Sequence, residues 1–151
     1  MDWAHFSAAL AEELADLPAG ALVVVYEAGK ETGHFRFAQF AQDEDRLSAE
    51  IVTNEFLVPE VRATPDGEEL IRRAGWRAPE VREGHDIWWY SLPWPSPPDR
   101  YRELSEMVVT ALRDGYGASD QSPWAYDAWN EREGNSPLEL PHLRLPRGDR
   151  P

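Results

Sequence analysis

Three short segments in the first third of the chain limit most strongly what it can fold into. "ALVVVYEAG" (21–29) is a β-branched run, too short and too valine-rich for a helix, and reads as a strand buried on both faces. "HFRFAQFAQ" (34–42) alternates at first, with Phe35 and Phe37 against Arg36. "RLSAEIVTN" (46–54) alternates more clearly, with Leu47, Ala49 and Ile51 on one face and Ser48 and Glu50 on the other. The polar "QDED" between the last two suits a hairpin. A meander of three antiparallel strands is therefore expected.

Amphipathic helices flank these strands. Trp3, Phe6, Leu10, Leu14 and Leu17 recur at steps of three and four, predicting a helix over 3–17 that "LPAG" stops at Pro18 and Gly20. In "ATPDGEELIRRAGW" (63–76), Thr64 fits an N-cap and Pro65 the first helical position. Asp66, Glu68 and Glu69 suit the N-terminal end, Arg72 and Arg73 the C-terminal end, and Gly75 a left-handed stop. Residues 86–92 read as a further strand, broken by Pro93. In "SPPDRYRELSEMVVTALRDGYG", Ser96 and Asp99 are expected to cap a last helix around Pro97 and Pro98. Its buried stripe is Tyr101, Leu104, Val108 and Leu112, and Gly115 or Gly117 ends it. "SPWAYDAWNEREGNSPLEL" (122–140) reads as irregular, and 141–151 as a flexible, mildly basic tail. The resulting class is α+β, in the order α-β-β-β-α-β-α: an antiparallel sheet of about 4–5 strands with helices packed on one side. Residues 1–140 are expected to form a single domain.

Composition narrows the function. The chain of 151 residues has 42% hydrophobic and 11% aromatic residues, the profile of one globular domain. It has no cysteine, which excludes disulfides, thiolate catalysis and thiolate metal sites. A formal net charge of −13 repels nucleic acid phosphates and anionic lipid heads, so neither nucleic acid nor membrane is an expected partner. No apolar run reaches the ~18 residues of a membrane span. The acidic "MDWAHFSAALAEEL" lacks the basic start of a signal peptide, so the expected location is cytoplasmic.

Catalytic motifs are missing. His5, His34, His85 and His142 are scattered, and no HExxH, GxSxG, GxxxxGK[ST] or GxGxxG occurs. Carboxylate pairs carry no information in so acidic a chain. No enzyme, no cofactor and no metal are expected.

What stands out is "DIWWYSLPWPSPPDRY" (86–101), with three of the seven tryptophans. On a strand, Trp88 and Trp89 point to opposite faces. A sheet with helices on one side buries only one of them that way. An indole can bury about 150–250 Å², on the order of 4–6 kcal/mol, so the open-face indole needs a cover. The candidates are residues 118–140 with Trp124 and Trp129, a second copy of the chain, or a client peptide. Trp88, Trp89 and Trp94, with Tyr90 and Trp76, are the candidate protein-binding residues. No catalytic residue is assigned.

"FAQFAQ" (37–42), "LSAEIVTNEFLVP" (47–59), "GWRAPE" (75–80), "WWYSLPWPSPPDRYRELSEMVVTALRDGYG" (88–117) and "PWAYDAW" (123–129) together resemble the TY-Chap domain family. That family is actinobacterial and is grouped with type III secretion chaperones and YbjN-like proteins. The resemblance covers roughly residues 1–130. It implies a type III secretion chaperone-like α+β fold, a chaperone or adaptor role, a client or partner protein, and a homodimer as a common arrangement. It supplies no catalytic residues. The leading expectation is thus a non-enzymatic domain that binds a client segment through exposed aromatics and an acidic rim. A small-ligand or glycan module on the same tryptophan-rich surface is the alternative.

Overall fold

The computed structural model describes residues 1–148. Six strands form one sheet among the described residues: β1 (Ala21–Glu27), β2 (Phe37–Gln42), β3 (Arg46–Ile51), β4 (Trp88–Pro93), β5 (Trp124–Asn130) and the short β6 (Ser136–Pro137). Their order is β4-β3-β2-β1-β5-β6, with every neighbouring pair antiparallel. The helices are α1 (Trp3–Ala15), α2 (Pro65–Ala74) and α3 (Pro98–Val109), the last running on into a wider π-type turn over Thr110–Gly115. The α+β architecture and the β1–β2–β3 meander are as expected.

Two expectations about strands need correction. Residues 124–130, expected to be irregular, form β5 and pair with β1 along its whole length. Aromatic residues and alanines fall on both faces, which hides the period-two pattern. β1 is therefore central, which accounts for its valines. It is not buried on both faces, however: Ala21, Val23 and Val25 are buried, while Leu22 and Val24 are only half-buried. The sheet faces a helical layer on one side only.

On the covered side, Val23, Val25, Phe40, Leu47, Ile51, Trp88 and Leu92 join one core with Trp3, Phe6 and Leu10 of α1, Ile71 of α2 and Leu104 and Val108 of α3. The helix ends follow local rules. Asp2 caps α1 by accepting the Ala4 N–H at 2.8 Å, and Thr64 caps α2 by accepting that of Gly67 at 3.0 Å. Gly75 stops α2 at φ 119°, in the left-handed region. The Ser96–Asp99 cap is not formed. Pro97 sits at the cap position, and the Ser96 hydroxyl donates backward to the Pro93 carbonyl. Because α3 starts at Pro98, Ser96 lies one residue before the cap position, and its hydroxyl takes another partner.

Where α2 meets the end of α3, Gly67 lies so close to Gly115 that a Cβ would strike the Gly115 carbonyl. A buried ion pair ties the mouth of the β1–β2 hairpin. Glu27 accepts from Arg36 Nε at 2.6 Å and Nη2 at 2.9 Å, while Arg36 Nη1 reaches the Tyr116 carbonyl at 3.0 Å. Tyr116 in turn donates its hydroxyl to the Val52 carbonyl.

Residues 141–148, expected to be flexible, are seated on the domain. Leu140 and Leu143 are buried, and the His142 N–H donates to Glu13 Oε2 at 2.9 Å. The alternating leucines supply apolar anchors that a count of the segment's arginines and prolines conceals. Residues 149–151 of the expected tail lie outside the described residues.

Candidate functional site: the open face of the sheet

Sheet register fixes which side chains share the uncovered face. One rung across it is Asp127, Val24, Gln39, Glu50 and Trp89; the next holds Trp129, Leu22, Ala41, Ser48 and Ser91. Trp88 and Trp89 therefore point to opposite faces. Trp88 joins the core at 3% exposure, and Trp89 lies half-buried on the open side.

Part of the cover on Trp89 comes from residues 77–85, which were not among the candidates considered. His85 stacks on its ring at 3.8 Å between centroids, with 5° between planes, and the Arg77 guanidinium lies over the ring at 5.0 Å. The indole N–H donates to the Ala78 carbonyl at 3.0 Å. Arg77 also exchanges both backbone hydrogen bonds with Trp89, closing the outer edge of β4. Residues 77–85 thus act as a flap on this tryptophan. Trp124, one of the residues considered as a cover, is instead in the core on the helix side, 5.6 Å from Trp3.

The five candidate binding residues do not converge. Trp76 and Trp88 are withdrawn from the surface: both are core, and the Trp76 N–H donates to the Met107 carbonyl at 2.9 Å. Tyr90 shares the helix-side rung of Phe40 and Ala49 and packs edge-on to Trp76 at 6.5 Å. Trp94 is half-buried beyond the end of β4. Only Trp89 belongs to the open face. A single strand cannot present neighbouring residues on one side, so clustering in sequence did not become clustering in space.

The apolar concavity lies one strand further in. Phe35, Phe37, Phe56 and Ile87 line a groove of about 520 Å³, with Gln39, Glu50 and Asp86 as polar members. A smaller hollow of about 190 Å³ adjoins it through the same Gln39 and Glu50 and continues to Leu22, Val24 and Trp129. Gln39 donates to Glu50 Oε1 at 2.7 Å, which fixes the carboxylate between the two apolar stretches. Phe56 is 53% exposed, a large apolar side chain left in water by a short helical turn over Asn54–Phe56. Reading by sequence missed Phe56, Phe37 and Trp129 as a group. They come from the loop after β3, from β2 and from β5, and only the sheet order brings them to one side.

The carboxylates of this face sit beside phenylalanines, and among the described residues no group of three or more His, Asp or Glu is placed to hold a metal. No helix among the described residues is long and apolar enough to cross a membrane. The fold defines an α+β domain with a helical layer on one side of its sheet and an aromatic, acid-bearing open face on the other.

Residues 1–130 match the TY-Chap3 family, described as T3SS (YopN, CesT) and YbjN peptide-binding chaperone 3, and the chain belongs to that family. No curated protein and no solved structure matches the chain.

Proposed function

We propose that this domain is a non-enzymatic chaperone or adaptor that holds an extended segment of a client protein along the open face of its sheet. The observation that carries this reading is the pair of adjoining hollows, sharing Gln39 and Glu50, that together run from Phe56 and Phe37 to Trp129. An extended segment laid there places alternate apolar side chains against the phenylalanines. Its arginines or lysines meet Glu50 and Asp86 in the field of a chain whose net charge is −13. Trp89, carrying its His85 and Arg77 caps, flanks the groove beside Glu50. A sugar platform has less support, since Trp88 is core and His85 already stacks on Trp89.

The test is binding of a fluorescein-labelled peptide of alternating valine and arginine to wild type, Phe56→Ala and Val81→Ala. Burying a phenylalanine contributes about 1.5–3 kcal/mol, so Phe56→Ala should weaken the complex at least roughly tenfold. Val81 is more exposed still, at 71%, and is not among the groove-lining residues, so Val81→Ala should bind as wild type does. Equal loss in both variants, or no binding by wild type, refutes the reading. A homodimer dissolved by Phe56→Ala, in a protein that ignores the peptide, would put a second copy of the chain in the groove instead.

A further inference from the structure

The outer edge of β5 carries an occupant supplied by the chain itself. Leu143 is anchored in the core, Arg144 turns the backbone in the left-handed region at φ 52°, and the next residues lie along β5. Tyr126 pairs in parallel with Arg147: its N–H donates to the Pro146 carbonyl at 3.1 Å, and its carbonyl accepts the Gly148 N–H at 2.9 Å. The Arg147 guanidinium donates to the Ala128 carbonyl at 2.7 Å and lies 3.7 Å from Asp127 Oδ1.

Gly148 completes the fit. A Cβ there would strike the Tyr26 hydroxyl and approach the Ala125 methyl to 3.5 Å, so a side chain at that position has to displace the Tyr26 ring. Tyr26 and Ala125 lie on the open side of the sheet yet are buried, because this lap of chain lies against them. The seat thus selects three things at once: an extended backbone, an arginine facing Asp127 and the Ala128 carbonyl, and a glycine immediately after it. Every residue of the seat falls within the family match of residues 1–130, and the occupant falls outside it.

We propose that the outer edge of β5, from Ala125 to Ala128, is a docking site for an extended Arg-Gly segment of a partner polypeptide, with residues 145–148 as its built-in, displaceable occupant. The mode is strand addition in the parallel sense, in which main-chain hydrogen bonds hold the segment and the Asp127 and Tyr26 subsites choose it. This goes beyond the groove reading, which concerns other side chains. Release stops at the Arg144 hinge, because Leu143 remains in the core.

The experiment uses the full chain and a fluorescein-labelled Leu-Arg-Leu-Pro-Arg-Gly-amide probe, the sequence of residues 143–148. A tethered segment competes at an effective concentration of about millimolar, so unseating it must favour the free peptide. Gly148→Val should bind the probe at least about tenfold more tightly than wild type, and amide exchange at Tyr126 should accelerate by a similar factor. Arg147→Ala, which leaves no steric conflict, should move both readouts in the same direction. A probe with valine in place of its glycine should not bind. Unchanged Tyr126 exchange in both variants, or equal probe affinity in wild type and Gly148→Val, overturns the proposal. So does loss of probe binding when Phe56→Ala is added to Gly148→Val, which would send the probe to the groove. Retained binding in that double variant supports the edge site independently of the groove reading.

Discussion

Replacing Glu27 with alanine should be among the more damaging single changes available in this domain. The Glu27 side chain is 0% exposed and that of Arg36 is 12% exposed, so the pair is almost wholly withdrawn from water. Glu27 accepts three hydrogen bonds from that one residue: the Arg36 backbone N–H at 2.9 Å, Nε at 2.6 Å and Nη2 at 2.9 Å. The alanine variant leaves a buried guanidinium whose only remaining partner among these contacts is the Tyr116 carbonyl. Breaking a buried pair from one side costs about 3–5 kcal/mol. The residual exposure of Arg36 admits some water and favours the lower end, about 3 kcal/mol. At roughly 2–4 °C per kcal/mol for a chain of this size, Tm should fall by about 6–12 °C in calorimetry.

Replacing both partners by apolar residues, as in Glu27→Leu with Arg36→Met, should restore most of that loss, since no charge is then stranded. The pH dependence supplies a second check. Burial pushes the Glu27 carboxyl up, but the hydrogen bonds from Arg36 outweigh it and hold the group below its ordinary range. A lowered native pKa makes the contribution complete above the unfolded carboxylate value of about 4.3 and lost as pH falls through the lowered one. The gap between wild type and Glu27→Ala should therefore be constant near neutrality and close only in acid. A loss below about 1 kcal/mol at pH 7 would show that the guanidinium rehydrates at little cost, and the reasoning would fail.

Three further outcomes follow from the packing. Gly67→Ala, which by helix propensity alone should stabilise α2 by up to about 1 kcal/mol, should instead cost about 1–3 kcal/mol because the new methyl strikes the Gly115 carbonyl; a raised Tm would refute the close contact. In urea titrations, Trp88→Ala should lose about 3–5 kcal/mol as a core truncation, and Trp89→Ala no more than about half of that. Equal losses would contradict the assignment of their faces. Burial raises the Glu13 carboxyl above its usual range, against the opposing His142 N–H, so ionising it is unfavourable in the folded state. Wild type should thus lose stability as pH rises from the unfolded carboxylate value through the raised native one. Glu13→Gln, which keeps an acceptor for His142, should have a higher Tm than wild type at pH 7 and match it in acid.

Much of the fold was legible because its causes are local. The period of two in Leu47, Ala49 and Ile51 announces β3, and all three are buried on one face. Thr64 and Pro65 at one end of α2 and Gly75 at the other each act on groups within a turn of themselves, and each takes its expected place. The opposition of Trp88 and Trp89 follows from strand geometry alone. β5 was missed because Trp124, Ala125, Tyr126 and Ala128 make both of its faces apolar. Glu13 lies off the apolar stripe of α1 in sequence, yet it is buried, and its partner His142 is 129 residues away.

The candidate site was far less legible than the fold. Sequence alone determined an acidic α+β domain, its meander, its helix ends and the split between two adjacent tryptophans, because charge, periodicity and capping act over a few residues. Tertiary structure alone decided that β1 is central, that His85 and Arg77 close over Trp89, and that Phe37, Phe56 and Trp129 meet on one face. It also decided that Arg147 and Gly148 seat on β5. Those outcomes depend on which distant strand lies beside which. Sheet order is set by the burial of a whole face at once, and no short stretch of residues carries that information.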